Sequence, residues 1–500
     1  MKLSTLNQTH ETYSLDLIKK YQALYEGGQC FRSCIQRFLF RNPVESTENY
    51  QLRVREAHYE SHVNTIVNQF ASQLFSCPFI VRSDSEEIDE FYSEFKEDCD
   101  LNGRDLLTFV QHLFTTSLIH GKAWVLLNLP SDQNSPPENL LEYQERGLGR
   151  VWLTDIEPDE VLDWEIDEFG QFIWVITHTK EIKRLNPRSD SKTVVETWKL
   201  YDSENVETFQ ISYEKGKTLK KDEIIPSISK EKHGFPRVPL LKICLPEGLW
   251  LINRLADAQI EHFRMSNALA FTQRAACNPM LVYKAETDDV KQSAGFGIKI
   301  GKEEDLKWIS PSTESFQVIQ NTISSLKDEI YRLAQQMALA VDNSAGAIKR
   351  SGESKAKDTE STKIILYSYA EVVKGFVEEI YELVSDARGD TSVTFSIEGM
   401  DTFQIDDPQG VIEAAKLAKD FPILSETFNR ELQFKVATSI LPNLSQDIKD
   451  QIKKEISEAD LEESQTSNEE VRSNQPITSS EQEIVPTPQP GKNDNMPGKE

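Results

Sequence analysis

Residues 319–341 read IQNTISSLKDEIYRLAQQMALAV. Ile319, Ile323, Leu326, Ile330, Leu333, Met337 and Ala340 recur at alternating steps of four and three, which draws one apolar stripe along a helix. Gln320, Asn321, Lys327, Asp328, Arg332 and Gln335 form its polar face. A pattern of similar length precedes it, from Leu251 to Ala276. Ile252, Ala256, Ile260 and Phe263 lie on one side of it, and Arg254, Asp257, Glu261 and Arg264 on the other. At 1.5 Å per residue each helix would be roughly 40 Å long. The insert between them is strand-like at Pro279–Tyr283, Ile298–Ile300 and Trp308–Ile309, interrupted by Gly295, Gly297 and Gly301. Two antiparallel helices tied at one end by a compact insert predict a rod with a knob on its tip. Asn343–Lys357 is a loop rich in Gly, Ser and Ala. A third helix follows through Ile365, Tyr369, Val372, Phe376, Ile380 and Leu383, closed by Gly389.

Upstream, a helix is expected near Leu15–Tyr25. A long amphipathic helix is expected over Tyr50–Phe75, through Val54, Ala57, Val63, Ile66, Val67, Phe70 and Leu74, and Pro78 stops it. An acidic helix covers part of 84–100, and Leu106–Leu118 forms another that ends before Gly121. From Lys122 the texture changes to strands: Ala123–Leu127, Val151–Leu153, Val161–Ile166, Phe172–Thr177, Val194–Tyr201 and Thr208–Tyr213, with turn-rich spacers between them. The fold class is therefore α+β, with a largely antiparallel sheet. Val393, Phe395 and Ile397 alternate as a strand that could join that sheet. Helices are expected at Val411–Lys419, Ser425–Ser439 and Ser445–Ser457. Beyond about Glu462 the chain has few large apolar residues, and disorder is expected.

The 500 residues carry a formal net charge of −27 and a pI near 4.8, with ordinary hydrophobic (38 %) and charged (27 %) fractions, so a broad basic nucleic-acid grip is not expected. Any DNA contact must come from local basic spots. Cys30, Cys34, Cys77, Cys99, Cys244 and Cys277 are scattered and read as reduced thiols. Met1–Lys20 is polar without an apolar h-region, and no run of 18 apolar residues follows, so neither signal peptide nor membrane span is expected.

Candidate catalytic and metal motifs fail on spacing. Asp98-Cys99-Asp100-Leu101-Asn102-Gly103 copies the start of an EF-hand loop, yet Phe109 stands where the bidentate Glu belongs. A helix-linking turn is the expected reading. Gly295–Lys302 has the wrong spacing for a Walker loop, and Glu303 stands where Ser or Thr should follow the lysine. His58 and His62, four apart on the expected helix, lack the Glu of a zincin motif. No acid/base dyad and no GxSxG occurs, so no enzyme activity, metal or cofactor is expected. Lys349, Arg350, Lys355 and Lys357 cluster in the Gly/Ser loop of an acidic chain. They suit either a transient phosphate contact or an ordinary solvated loop.

In order along residues 50–460 the chain resembles the portal proteins of tailed double-stranded DNA bacteriophages. Leu101-Asn102-Gly103-Arg104-Asp105-Leu106 leading to Gly121-Lys122-Ala123-Trp124-Val125-Leu126-Leu127 looks like the helix-to-strand entry of the portal wing. Pro158-Asp159-Glu160-Val161-Leu162-Asp163-Trp164 looks like the strand that follows. His233-Gly234-Phe235-Pro236-Arg237-Val238-Pro239-Leu240-Leu241 is similar to the segment just before the stem. The resemblance implies an N-terminal arm at 1–48, a wing at 49–248 and a first stem helix at 249–276. A short clip at 277–314, a second stem helix at 315–342 and a tunnel loop at 343–357 come next. A long wing helix with a returning strand at 358–405, a helical crown at 406–461 and a disordered tail at 462–500 complete it.

It further implies a dodecameric ring at one capsid vertex, present in the virion and in the host cytoplasm during assembly. Double-stranded DNA would pass through it without sequence recognition, and Lys349, Arg350, Lys355 and Lys357 of the tunnel loop would touch that DNA. Ile319, Ile323, Leu326, Ile330, Leu333, Met337, Ile252, Ile260 and Phe263 would pack the stem. The implied partners are the terminase large subunit, major capsid and scaffolding proteins, and head-tail connector proteins, with no membrane. A cytosolic coiled-coil scaffold would also explain the stripe from Ile319 to Val341, though not the β-rich body.

Overall fold

The computed structural model describes residues 1–83, 90–130, 150–184, 192–277, 280–284, 305–309, 313–341, 354–390, 393–401, 403, 416, 426–440, 448 and 451–456. The chain divides into two units, Met1–Phe403 and Gln404–Glu500. The first opens with helices α1 (Leu3–Leu6), α2 (Leu15–Glu26), α3 (Gly28–Cys34), α4 (Thr47–Glu56) and α5 (His62–Phe75). Strand β1 (Phe79–Ser83) and helices α6 (Glu90–Glu97) and α7 (Leu106–His120) come next. Then follow β2 (Lys122–Asn128), β3 (Trp152–Ile156), β4 (Val161–Ile166), β5 (Phe172–Lys183), β6 (Thr193–Tyr201), β7 (Asn205–Glu214), β8 (Ser227–Lys232) and β9 (Leu240–Cys244). Helix α8 (Leu251–Cys277), strands β10 (Met280–Lys284) and β11 (Asp305–Ile309), helices α9 (Thr313–Val341) and α10 (Ser354–Arg388) and strand β12 (Phe395–Gly399) complete it. In the second unit α11 spans Glu426–Ile440, with Lys453 paired to its Glu431 at 3.3 Å.

The architecture is α+β, and the named strand pairs are antiparallel: a sheet β4-β5-β6-β7-β8, a sheet β3-β2-β9, and the pairs β1-β12 and β10-β11. Alternation along the strands gives the larger sheet two apolar faces. Val161, Val175 and Tyr201 pack with Trp124 and Leu240 of the smaller sheet and with Tyr13 and Trp164. Leu162, Ile176, Trp198 and Phe209 point the other way and are covered by Leu3 and Leu6 of the amino-terminal arm. The arm is also held by its backbone, because the Met1 amino group donates to the Ile225 carbonyl at 2.9 Å and the Leu3 amide to that of Glu223 at 2.9 Å. The Trp198 indole N–H donates to the Asn7 side chain at 2.9 Å, which satisfies its buried polar atom.

Helix α7 starts with the Asp105 carboxylate accepting from the Thr108 amide at 2.8 Å and ends at Gly121, whose φ is 77°. A Cβ at Gly121 would stand 2.9 Å from the Trp250 ring, so both the backbone angle and the close packing demand glycine there. Three sequence expectations change. The helix expected over Tyr50–Phe75 is two helices, α4 and α5, separated by extended residues that begin at Ala57 (ψ 136°). Phe79–Ser83 forms a strand that the sequence did not announce. The returning strand pairs with it, Phe79 opposite Gly399, rather than with the larger sheet.

Because Leu6 is fully buried against Trp198 and Ile225, Leu6→Ala removes buried methyl groups from beneath the sheet. Urea unfolding is expected to show a loss of about 2–5 kcal/mol. An unchanged midpoint would mean that the arm is only laid on the surface.

Candidate functional site

Helices α8 and α9 are joined through the β10-β11 hairpin and lie antiparallel, with the later half of α9 packed against α5, α10 and the turn just before α8. The apolar stripe read from the sequence divides at its middle. Ile330, Ala334 and Met337 are buried, as are Ile252, Ile260 and Phe263 on α8. Ile319, Ile323, Leu326 and Leu333 are half-buried, and no residue between Phe316 and Glu329 is buried. Val318 beside the stripe is 64 % exposed. A helix interior charged for one partner would bury its stripe throughout; this one leaves its amino-terminal half with apolar surface to spare.

The other long helix is braced along its length. Tyr21 donates to the Asn253 side chain at 2.6 Å, Lys20 pairs with Asp257 at 3.3 Å, and Arg274 pairs with Glu56. Phe263 enters edge-on a stack in which Phe31 lies between Phe38 and Tyr59, with centroids 4.9 and 3.8 Å away. Arg264 donates to the Phe38 carbonyl at 2.9 Å and lies over the Phe40 ring. Two amides hold the break between α4 and α5. Gln259 accepts from the His62 amide at 3.0 Å and donates to the Glu60 carbonyl at 2.8 Å. Asn267 accepts from the His58 amide at 2.9 Å and donates to the His58 carbonyl at 3.0 Å. Sequence reading missed both residues. Their only signal was an amide in place of an apolar residue on the buried face at 259 and again at 267.

The break also separates His58 from His62, which therefore do not share a helix face. The His62 imidazole instead meets His262 of α8 edge-on at 4.8 Å, and Tyr331 of α9 lies 6.0 Å away. Burial lowers the basicity of both rings; Glu60 opposes that effect and Lys327 adds to it. The EF-hand-like turn is filled by a side chain of its own. Asp100 accepts from the amides of Asn102 and Arg104 and from the Arg104 guanidinium at 2.5 Å, and that guanidinium also reaches Asp155 at 3.2 Å. Arg104 thus supplies the positive charge that a calcium loop would take from the ion. Among the described residues no group of three or more His, Cys, Asp or Glu is placed to hold a metal ion. No helix among them is long and apolar enough to cross a membrane.

Lys349 and Arg350 lie outside the described residues, as do the Gly295–Lys302 segment and the tail at 462–500. Helix α10 begins at Ser354, so Lys355 and Lys357 stand in its first turn rather than in a loop that lasts to 357. Ala and Lys have high helix propensity, although two lysines in a first turn oppose the helix dipole. Farther along, Tyr369 of α10 is fully buried and donates to the Leu249 carbonyl at 2.8 Å, which ties this helix to the root of α8.

No family model matches the chain, and no curated protein matches it. Among solved structures the chain is similar to one described as the neck of an empty GTA particle computed with C6 symmetry. The identity is 13 %, the TM-score 0.38, and the match covers 81 % of this chain and 94 % of that one.

Five histidines, His62, His120, His178, His233 and His262, are held below their ordinary pKa chiefly by burial, His120 down to about 4. The folded state therefore binds fewer protons than the unfolded chain, and this stability is present above the unfolded value of about 6.5 and lost as pH falls below it. Each group contributes a slope of at most about 1.4 kcal/mol per pH unit. Denaturant melts between pH 7.5 and 4.5 should decline accordingly, and His120→Gln, which keeps a polar atom for the Gln22 side chain 2.7 Å away, should flatten the acid limb. An equal slope in both proteins would contradict a neutral buried His120.

Proposed function

We propose that this chain is a portal-type subunit: a ring of copies, in the resemblance a dodecamer, forming a conduit for double-stranded DNA at one vertex of a tailed-phage capsid. The observation that carries this reading is the divided stripe of α9, buried at Ile330, Ala334 and Met337 and only half-covered at Ile319, Ile323 and Leu326. Copies arranged head-to-tail about an axis form one repeated heterologous interface that closes on itself. Each would then cover the stripe its neighbour leaves open. The net charge of −27 suits a channel that lets phosphates slide, because every persistent phosphate contact would deepen a trap. Lys349, Arg350, Lys355 and Lys357, between α9 and the first turns of α10, are the residues assigned to transient contact with that DNA. The protein acts without catalysis in this reading, as a docking platform for a terminase large subunit, capsid and scaffolding proteins, and head-tail connectors.

A cytosolic coiled-coil scaffold is the second reading, favoured by the same stripe. It predicts two- or three-chain assembly through α9 and no closed ring.

Val318→Asp places a charge on an already exposed site, so the isolated subunit should keep its stability to within about 0.5 kcal/mol. Combined with Leu326→Asp it should abolish the ring in sedimentation velocity, since the charges would be buried unpaired between copies. Rings of undiminished size would sink this assignment of the stripe. Replacing Lys349, Arg350, Lys355 and Lys357 together by Ser should leave ring size unchanged and reduce DNA filling or retention in a packaging assay. Normal filling together with normal retention would make the segment a connector only.

A further inference from the structure

The two ends of strand β5 differ in chemistry. At one end the β4-β5 turn projects Ile166, Phe169 and Ile173, which are 42, 82 and 47 % exposed. Around them stand Asp163, Glu165, Asp167 and Glu168, while Lys242 and Lys122 lie over the Phe172 and Trp164 rings at the base of the turn. The turn is rigid. The Asp167 carboxylate accepts from the amides of Phe169 at 2.9 Å and Gln171 at 2.8 Å, the Asp167 amide donates to the Gln171 carbonyl at 2.9 Å, and Gly170 takes the φ of 85° that closes it. A fixed turn with a phenylalanine at its apex loses little conformational freedom on docking, which is the condition for an anchor residue.

At the other end of the same strand the chemistry is reversed. Ile182, 54 % exposed, and the cations Arg184, Lys192 and Lys215 line an open cavity of about 450 Å³. The Lys215 amide donates to the Lys192 carbonyl at 2.8 Å, which fixes two of its walls. Strand β5 has 12 residues, so the two ends lie roughly 35 Å apart. They cannot meet within one subunit.

We propose that the acidic, phenylalanine-tipped β4-β5 turn of one copy docks into the basic cavity of Ile182, Arg184, Lys192 and Lys215 on the next copy. The inference rests on the ring reading above and names a contact that closes it. The charge complementarity selects a second copy of this chain. The acidic apex needs an apolar seat with a cationic rim, and the chain carries that seat at the far end of the same rigid sheet. A head-to-tail contact of this kind repeats around an axis and builds a ring, whereas the same acid-base contact made reciprocally about a two-fold axis would stop at a dimer, and sedimentation velocity separates the two.

The test is a charge-exchange cycle on the full-length protein, read by sedimentation velocity across a concentration series. Glu165→Lys with Glu168→Lys should weaken assembly by about tenfold or more, because like charges then face each other across the contact. Lys192→Glu with Lys215→Glu should do the same, and the fourfold variant should recover most of the loss. All four positions are exposed, so unchanged circular dichroism and melting temperature are expected in every variant. Phe169→Ser should weaken assembly without altering its salt dependence. Either double variant assembling like the parent, or a fourfold variant no better than the doubles, would overturn this contact while leaving the ring itself standing. Parent protein that forms no ring at any concentration would overturn both.

Discussion

Hydrogen-bond satisfaction at the break between α4 and α5 fixes where the long helices can lie. Residues 57–61 have left helical geometry, so their amides and carbonyls need partners from outside the segment, and a buried group without one costs about 1–3 kcal/mol. Gln259 and Asn267 supply them, each presenting a donor and an acceptor as a neighbouring strand would. They stand eight residues apart with buried Phe263 between them, so satisfying both sets the rotation of α8 about its own axis. That rotation turns Asn253, Asp257, Arg264 and Arg274 toward the amino-terminal helices. The opposite side of α8 is left for α9, whose buried half then meets α5 and α10.

Periodicity carried the sequence reading a long way for physical reasons. The stripes of α8, α10 and the later half of α9 and the alternation in β4 to β7 reflect faces that are buried locally, and local burial is written at spacings of three, four or two. What escaped was decided at long range. Val54 and Val63 fit one helix, yet the backbone between them is held by residues some 200 positions away. Phe79–Ser83 follows a proline and precedes an acidic stretch, and it becomes a strand because β12, more than 300 residues later, offers it a ladder. The calcium-like turn failed as a metal site on the missing glutamate, but the filling of the turn by Arg104 depends on Asp155 from another strand. Of the candidate site, the burial of Ile252, Ile260, Phe263, Ile330 and Met337 was legible. Gln259 and Asn267, which orient, were not, because a buried amide has no periodic signature.

Charge is organised on two scales. Globally the chain is acidic, which suits the proposed conduit, because few phosphate contacts would then be strong enough to hold passing DNA. Locally the β4-β5 turn is acidic, whereas Arg184, Lys192 and Lys215 gather at the far end of β5. Surface pairs of this kind contribute little one at a time, but the proposed ring would repeat each of them at every interface. The apolar surplus of α9 and the opposite charges at the two ends of β5 are both accommodated by the proposed ring, with copies meeting in one direction around an axis.

Imaging the purified full-length protein by negative-stain electron microscopy tests that arrangement most directly. Closed rings with an axial hole and rotational symmetry are expected, with the α8-α9 pairs placed around the hole. Compact single particles, or fibres built along the long helices, would contradict it.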